Sequence, residues 1–99
     1  MDKQEARDLL AKALAPYRAE TWEQLQRLLK TSESSEVKGR SGTTYQVKVH
    51  ACWDDWGSGG DLRIMGDIDD GGWRAFAPLC DAFIIAPDGR FVGEGPSPA

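Results

Sequence analysis

Between Trp53 and Arg74 the chain reads W-D-D-W-G-S-G-G-D-L-R-I-M-G-D-I-D-D-G-G-W-R. Two aspartate pairs, Asp54 with Asp55 and Asp69 with Asp70, lie just ahead of glycines, and Trp53, Trp56 and Trp73 stand close by. A turn needs the glycines and one aspartate; it does not need repeated tryptophan. Carboxylates in pairs can divide acid and base work. Tryptophan and arginine are the side chains that most often dominate a protein-binding surface. The candidate recognition surface is therefore Asp54, Asp55, Trp56, Asp69, Asp70, Trp73 and Arg74, provided the turns at 53–61 and 69–73 lie near one another.

Each more specific chemistry fails at an identifiable residue. Counting Asp67 as the first position of a calcium loop puts Gly72 correctly at six, but Gly71 stands at five and Pro78 at twelve. A bidentate glutamate is required at that last position. His50, Cys52 and Cys80 with Asp54 could supply zinc ligands if the sheet brought them together, but half-polar strand faces produce such sets readily. Ser58 lacks the outer glycine spacing of a nucleophile elbow, and a Cys52 or Cys80 nucleophile would need His50 to activate it. Gly57-Ser58-Gly59-Gly60 precedes a strand rather than a helix, with Asp55 and Asp61 beside it to repel a phosphate. No catalytic residue, metal ion or cofactor is expected.

The whole composition points the same way. Ninety-nine residues make one small domain, 1–94 with a disordered tail at 95–99, and self-association is one way for it to bury more surface. A net charge of -4 and a pI near 4.9 argue against binding a nucleic-acid backbone. Residues Met1 to Arg7 lack the apolar stretch of a signal peptide, and no run suits a membrane span. Two cysteines without C-x-x-C spacing fit a reducing cytoplasm, with a disulfide across neighbouring strands left open.

What must position the candidate residues is an α+β domain. Leu9, Leu10, Ala13 and Leu14 recur at helical spacing, predicting a helix over 2–14 that Ala15-Pro16 breaks. Thr21 with Gln24 forms a capping-box signature for a second helix carrying Trp22, Leu25, Leu28 and Leu29, which the polar run 31–35 ends. Val37 opens a short strand. Tyr45, Val47, Val49, Ala51 and Trp53 then alternate with polar residues, as do Leu62, Ile64, Gly66 and Ile68. Trp73 to Phe76 should pair back, Phe83 to Ile85 form a buried strand, and Ala86-Pro87-Asp88-Gly89-Arg90 turn the chain into Phe91-Val92. The expectation is two N-terminal helices packed on one face of a four- to five-stranded antiparallel meander. Its core should hold Leu10, Leu14, Trp22, Leu25, Leu29, Tyr45, Val47, Val49, Ile64, Phe83 and Ile85. A homodimer is expected, with Met65, Phe76 and Ile84 on the wet face as interface residues.

The strings Glu23 to Leu29, Ser41 to Val47, Trp53 to Asp55, Ile68 to Leu79, Phe83 to Gly89 and Phe91 to Glu94 carry a further pattern. It resembles that of a family of short, uncharacterised bacterial proteins with W-D-D, I-D-D-G-G-W-R-A-F-x-P-L, F-I-x-A-P-D-G and F-V-G-E motifs. The resemblance implies no activity and no catalytic residues. The function expected from the residues is a small cytoplasmic protein-binding module of the inhibitor, immunity or antitoxin kind. The alternative is a small enzyme using aspartate carboxylates or a Cys/His pair.

Overall fold

A computed structural model describes residues 2–54, 59–71 and 79–93. Helix α1 runs Lys3–Arg18, capped by the Asp2 carboxylate, which accepts from the Glu5 amide at 3.0 Å. Ala6, Leu10 and Leu14 fall four residues apart on one stripe, and all three are buried. The helix does not stop before Pro16. Proline this late in the helix costs one backbone bond in the last turn, and the two residues after it are anchored elsewhere. Tyr17 donates its phenol to Glu33 Oε1 at 2.7 Å. The Arg18 guanidinium sits 4.6 Å above the centre of the Phe83 ring and 5.5 Å from that of Phe91.

The second helix is shorter than its apolar stripe suggests. Helix α2 is a single turn, Trp22–Leu25, opened by the expected box in which Thr21 and Gln24 cap each other. A 3-10 turn, Gln26–Leu29, replaces its continuation. In 3-10 geometry residues three apart stack, so Leu25 and Leu28 both point inward. Leu29 and Trp22, expected in the core, are only half-buried at its border.

Among the described residues five strands form one antiparallel sheet in the order β1-β2-β3-β4-β5: Glu33–Lys38, Thr44–Trp53, Leu62–Asp69, Leu79–Ile85 and Phe91–Val92. The domain is therefore α+β. Strand β1 begins four residues before Val37, because the polar run that ends the helical segment also gives Glu33, Ser34 and Ser35 to the ladder with β2, Glu33 against Val49 through Lys38 against Thr44. Alternation along β2 and β3 is as the sequence implies. Tyr45, Val47, Val49 and Ala51, and Leu62, Ile64, Gly66 and Ile68, are buried. Phe83 and Ile85 complete the core from β4. The last hairpin closes through Gly89, whose φ of +89° lets its amide reach the Ala86 carbonyl at 2.8 Å. The expected strand at Trp73–Phe76 and the tail at 95–99 lie outside the described residues. No helix among the described residues is long and apolar enough to cross a membrane.

Candidate functional site

A strand with one buried face has another, and register decides which side chains share it. Across β2, β3 and β4, His50 faces Met65 and Met65 faces Ala82. The next row is Cys52, Arg63, Ile84 and Val92, and on the other side lies Lys48, Asp67 and Cys80. None of these ten side chains is buried. Cys52, Cys80 and Ala82 are exposed, while His50, Met65, Ile84 and Val92 are half-buried. The face thus has an apolar and sulfur-bearing centre with charges at its borders.

Polar partners on this face are specific. Arg63 Nε donates to Asp54 Oδ1 at 2.9 Å, so one border charge is already paired within the chain. The Cys80 thiol is raised above its ordinary value, first because Asp67 accepts its proton and then because burial and that negative charge oppose a thiolate. Cys52 Sγ lies 3.9 Å from Met65 Sδ. His50 Nδ1 is shut off from solvent with no hydrogen-bond partner among the described residues.

The candidate surface read from the sequence is not assembled by its described members. Asp54 follows β2, its amide donating to the Asp61 carbonyl at 2.8 Å and its carboxylate held by Arg63. Asp69 closes β3 at the other end of the same ladder, opposite Gln46, whereas Trp53 faces Leu62. Seven residues of β2 separate those two ends, roughly 23 Å at ~3.3 Å each. Asp69 turns its carboxylate onto the Gly71 amide at 2.7 Å, and Asp70 follows it at the same end. Asp55, Trp56, Trp73 and Arg74 lie outside the described residues. Trp53 is half-buried, its ring centre 6.0 Å from that of Trp22.

The sulfur and histidine set is dispersed in a similar way. Cys52 and Cys80 are not joined to each other, lying two strands and four ladder positions apart, about 16 Å at ordinary sheet spacings. A disulfide needs Cα atoms within ~7 Å. His50 and Cys52 share a face of β2, but Cys80 pairs with Asp67 instead of approaching them. Among the described residues no three of His, Cys, Asp and Glu gather around a point.

Two carboxylate clusters went unforeseen. Glu5 accepts from the Ser41 amide at 2.9 Å, the Ser41 hydroxyl at 2.7 Å and the Tyr45 phenol at 2.8 Å. Those Ser41 bonds, then Tyr45, hold its carboxyl below the usual range. Glu33 accepts from Arg27 Nε at 2.8 Å and from Tyr17, and is lowered by both. Each joins residues far apart in sequence, where periodicity carries no signal. Both clasps tie helical segments to the β1–β2 hairpin and present no acceptor arrangement for a reaction. The open face, by contrast, was foreshadowed by the polar half of the strand alternation.

No protein family, curated protein or solved structure matches the chain.

Proposed function

We propose that this protein is a small protein-binding module, that the open face of its sheet is the binding surface, and that a second copy of the chain covers it. The observation that carries this reading is the row His50–Met65–Ala82 with Cys52, Ile84 and Val92 beside it, a largely apolar strip on a face that no described helix or strand covers. Contiguous exposed apolar surface marks an interface more often than scattered residues do.

Charge placement favours a second copy as the occupant. A two-fold axis crossing the strands at the His50–Met65–Ala82 row stacks each copy's Cys52–Arg63–Ile84 row on the other's Lys48–Asp67–Cys80 row. Arg63 of one copy then faces Asp67 of the other, twice. Arg63 Nη1 takes no part in the pair with Asp54, so the guanidinium has a donor to offer. Four strands at ~4.8 Å by about seven residues at ~3.3 Å give a footprint on the order of 450 Å². Over both copies that is roughly 900 Å², below the ~1,200–2,000 Å² of stable interfaces and in the range of weak, transient ones, which suits reversible association.

The same face could engage a different protein in an inhibitor, immunity or antitoxin role. Recognition remains the better reading than turnover, because Asp54 lies at one end of the β2–β3 ladder and Asp69 and Asp70 at the other. Sedimentation velocity across the micromolar range tests the proposal. Wild type should show a concentration-dependent dimer and Met65→Lys a monomer of unchanged thermal stability. Arg63→Asp and Asp67→Arg should each weaken the dimer, and their combination should restore it. A wild type that stays monomeric at high micromolar concentration rejects self-association; a dimer untouched by Met65→Lys moves the interface elsewhere.

A further inference from the structure

Soft donors meet on the open face where no three of His, Cys, Asp and Glu do. Cys52 Sγ and Met65 Sδ lie 3.9 Å apart. His50 stands directly across the ladder from Met65, on the same face of β2 as Cys52, with Nδ1 buried and without a partner among the described residues. A ring nitrogen that has lost its water without gaining a partner is costly in either protonation state. We propose that His50, Cys52 and Met65 form a binding site for a soft monovalent metal ion, copper(I).

The donor chemistry selects the ion. Thiolate and thioether sulfur favour copper(I), and imidazole accepts it, whereas calcium and magnesium take oxygen ligands. Structural zinc calls for four ligands, commonly cysteine and histidine, and this corner of the face offers two of those. The two sulfurs are suitably spaced as they stand. With metal–sulfur bonds of ~2.3 Å, two sulfurs 3.9 Å apart subtend about 116° at the ion, near the angle of a trigonal centre. The imidazole would complete the three. On binding, the Cys52 thiol releases its proton to water and its sulfur bonds the ion; no electron is transferred, and the thiolate balances the single positive charge.

One copy supplies all three donors, but they lie within the proposed interface, so the titration is run at a protein concentration where sedimentation shows monomer. The Arg63 and Asp67 charge exchange leaves every donor in place, so the two ideas fail separately. The test is an anaerobic titration of reduced protein against copper(I) held by the chromophoric chelator bicinchoninate. Wild type should withdraw one equivalent per chain. Cys52→Ser should abolish that withdrawal, and Met65→Leu and His50→Gln should each weaken it at least about tenfold, as expected for loss of a metal-binding group. Cys80→Ser should bind as wild type does. Failure of wild type to compete, equal binding by Met65→Leu, or loss of binding with Cys80→Ser would each overturn the assignment. Met65→Leu preserves volume and apolar character, so it decides the matter even if Cys52→Ser fails to fold.

Discussion

Tyr45 Oη donates to Glu5 Oε1 across 2.8 Å, joining a buried residue of β2 to the first turn of α1. Ser41 adds its amide and hydroxyl to the same carboxylate. Gly39 passes so close that a Cβ there would lie 2.5 Å from the Glu5 carboxyl carbon, so the hairpin is shaped around this acid. One carboxylate therefore fixes where the helix begins relative to the sheet, and its ionisation is part of the fold.

Stability should fall in acid through this clasp and through Glu33. Both carboxyls are lowered from 4.5 by the hydrogen bonds they accept. A group with a depressed folded value contributes fully above its unfolded value and loses that contribution as pH falls through its folded one. Urea midpoints should thus hold near neutrality and decline below about pH 4.5. Glu5→Gln should start less stable and decline less steeply. An identical acid limb in that variant would remove Glu5 from the account.

The alkaline side has its own signature. Tyr45 is pushed up to about 12, chiefly by its bond to Glu5, and Tyr17 to about 12 by burial and then Glu33. A raised folded value contributes below the unfolded one, near 10, and is lost as pH rises toward the folded value. Phenolate absorbance of the folded protein should therefore lag behind that of the urea-unfolded chain. Tyr45→Phe should remove about half of the lagging amplitude. Coincident titration curves for folded and unfolded protein would contradict both bonds.

Sequence pattern was informative where one periodicity acted alone. Alternation from Tyr45 to Trp53 and from Leu62 to Ile68 fixes which side chains are buried, and with them the composition of the open face. It failed where tertiary contacts overrode a local preference. Pro16 lies inside α1 because Tyr17 and Arg18 are held by Glu33 and by the Phe83 and Phe91 rings. Ser34 and Ser35 form strand because β2 offers them a ladder. The Asp and Trp clusters drew attention by composition, yet composition says nothing about which end of a meander a turn occupies. Asp54 and Asp69 sit on the same pair of strands at opposite ends.

At Gly66 two leucines of α1 pack directly against the backbone of β3. A Cβ there would stand 3.0 Å from Leu10 Cδ1 and 3.0 Å from Leu14 Cδ2. Both are the ends of flexible side chains, so Gly66→Ala should be accommodated within about 1 kcal/mol, the added crowding partly offset by better strand preference. Gly66→Val adds two more methyl carbons in the same gap and should cost about 1–3 kcal/mol. Urea denaturation of both variants reads the difference. A valine variant as stable as the alanine one would mean that the helix stands farther from β3.

The 3-10 turn makes a prediction that an α-helical continuation would reverse. Leu28 is 1 % exposed, while Leu29 is half-buried. Leu28→Ala should cost about 2–5 kcal/mol, the range for a fully enclosed leucine, and Leu29→Ala clearly less. Equal losses, or a larger one at Leu29, would show that the turn continues as α-helix and rotates the stripe.

Trp22 links α2 to the far end of the β2–β3 ladder. Its Nε1 donates to the Gly60 carbonyl at 3.0 Å, and its ring is tilted against Trp53 at 6.0 Å. The bond holds the chain just before β3, where the Asp61 carbonyl in turn receives the Asp54 amide. Trp22→Phe keeps an aromatic ring at the border of the core but removes the donor. It should destabilise the protein by about 1–2 kcal/mol, one hydrogen bond plus a modest loss of packing. Backbone amide exchange should quicken at Asp54, whose acceptor is no longer held in place, and remain unchanged at the Glu33–Lys38 strand, which pairs with the other edge of β2. Faster exchange at both places would mean that the substitution loosens the whole domain. No change at Asp54 would mean that Trp22 packs there without fixing the loop.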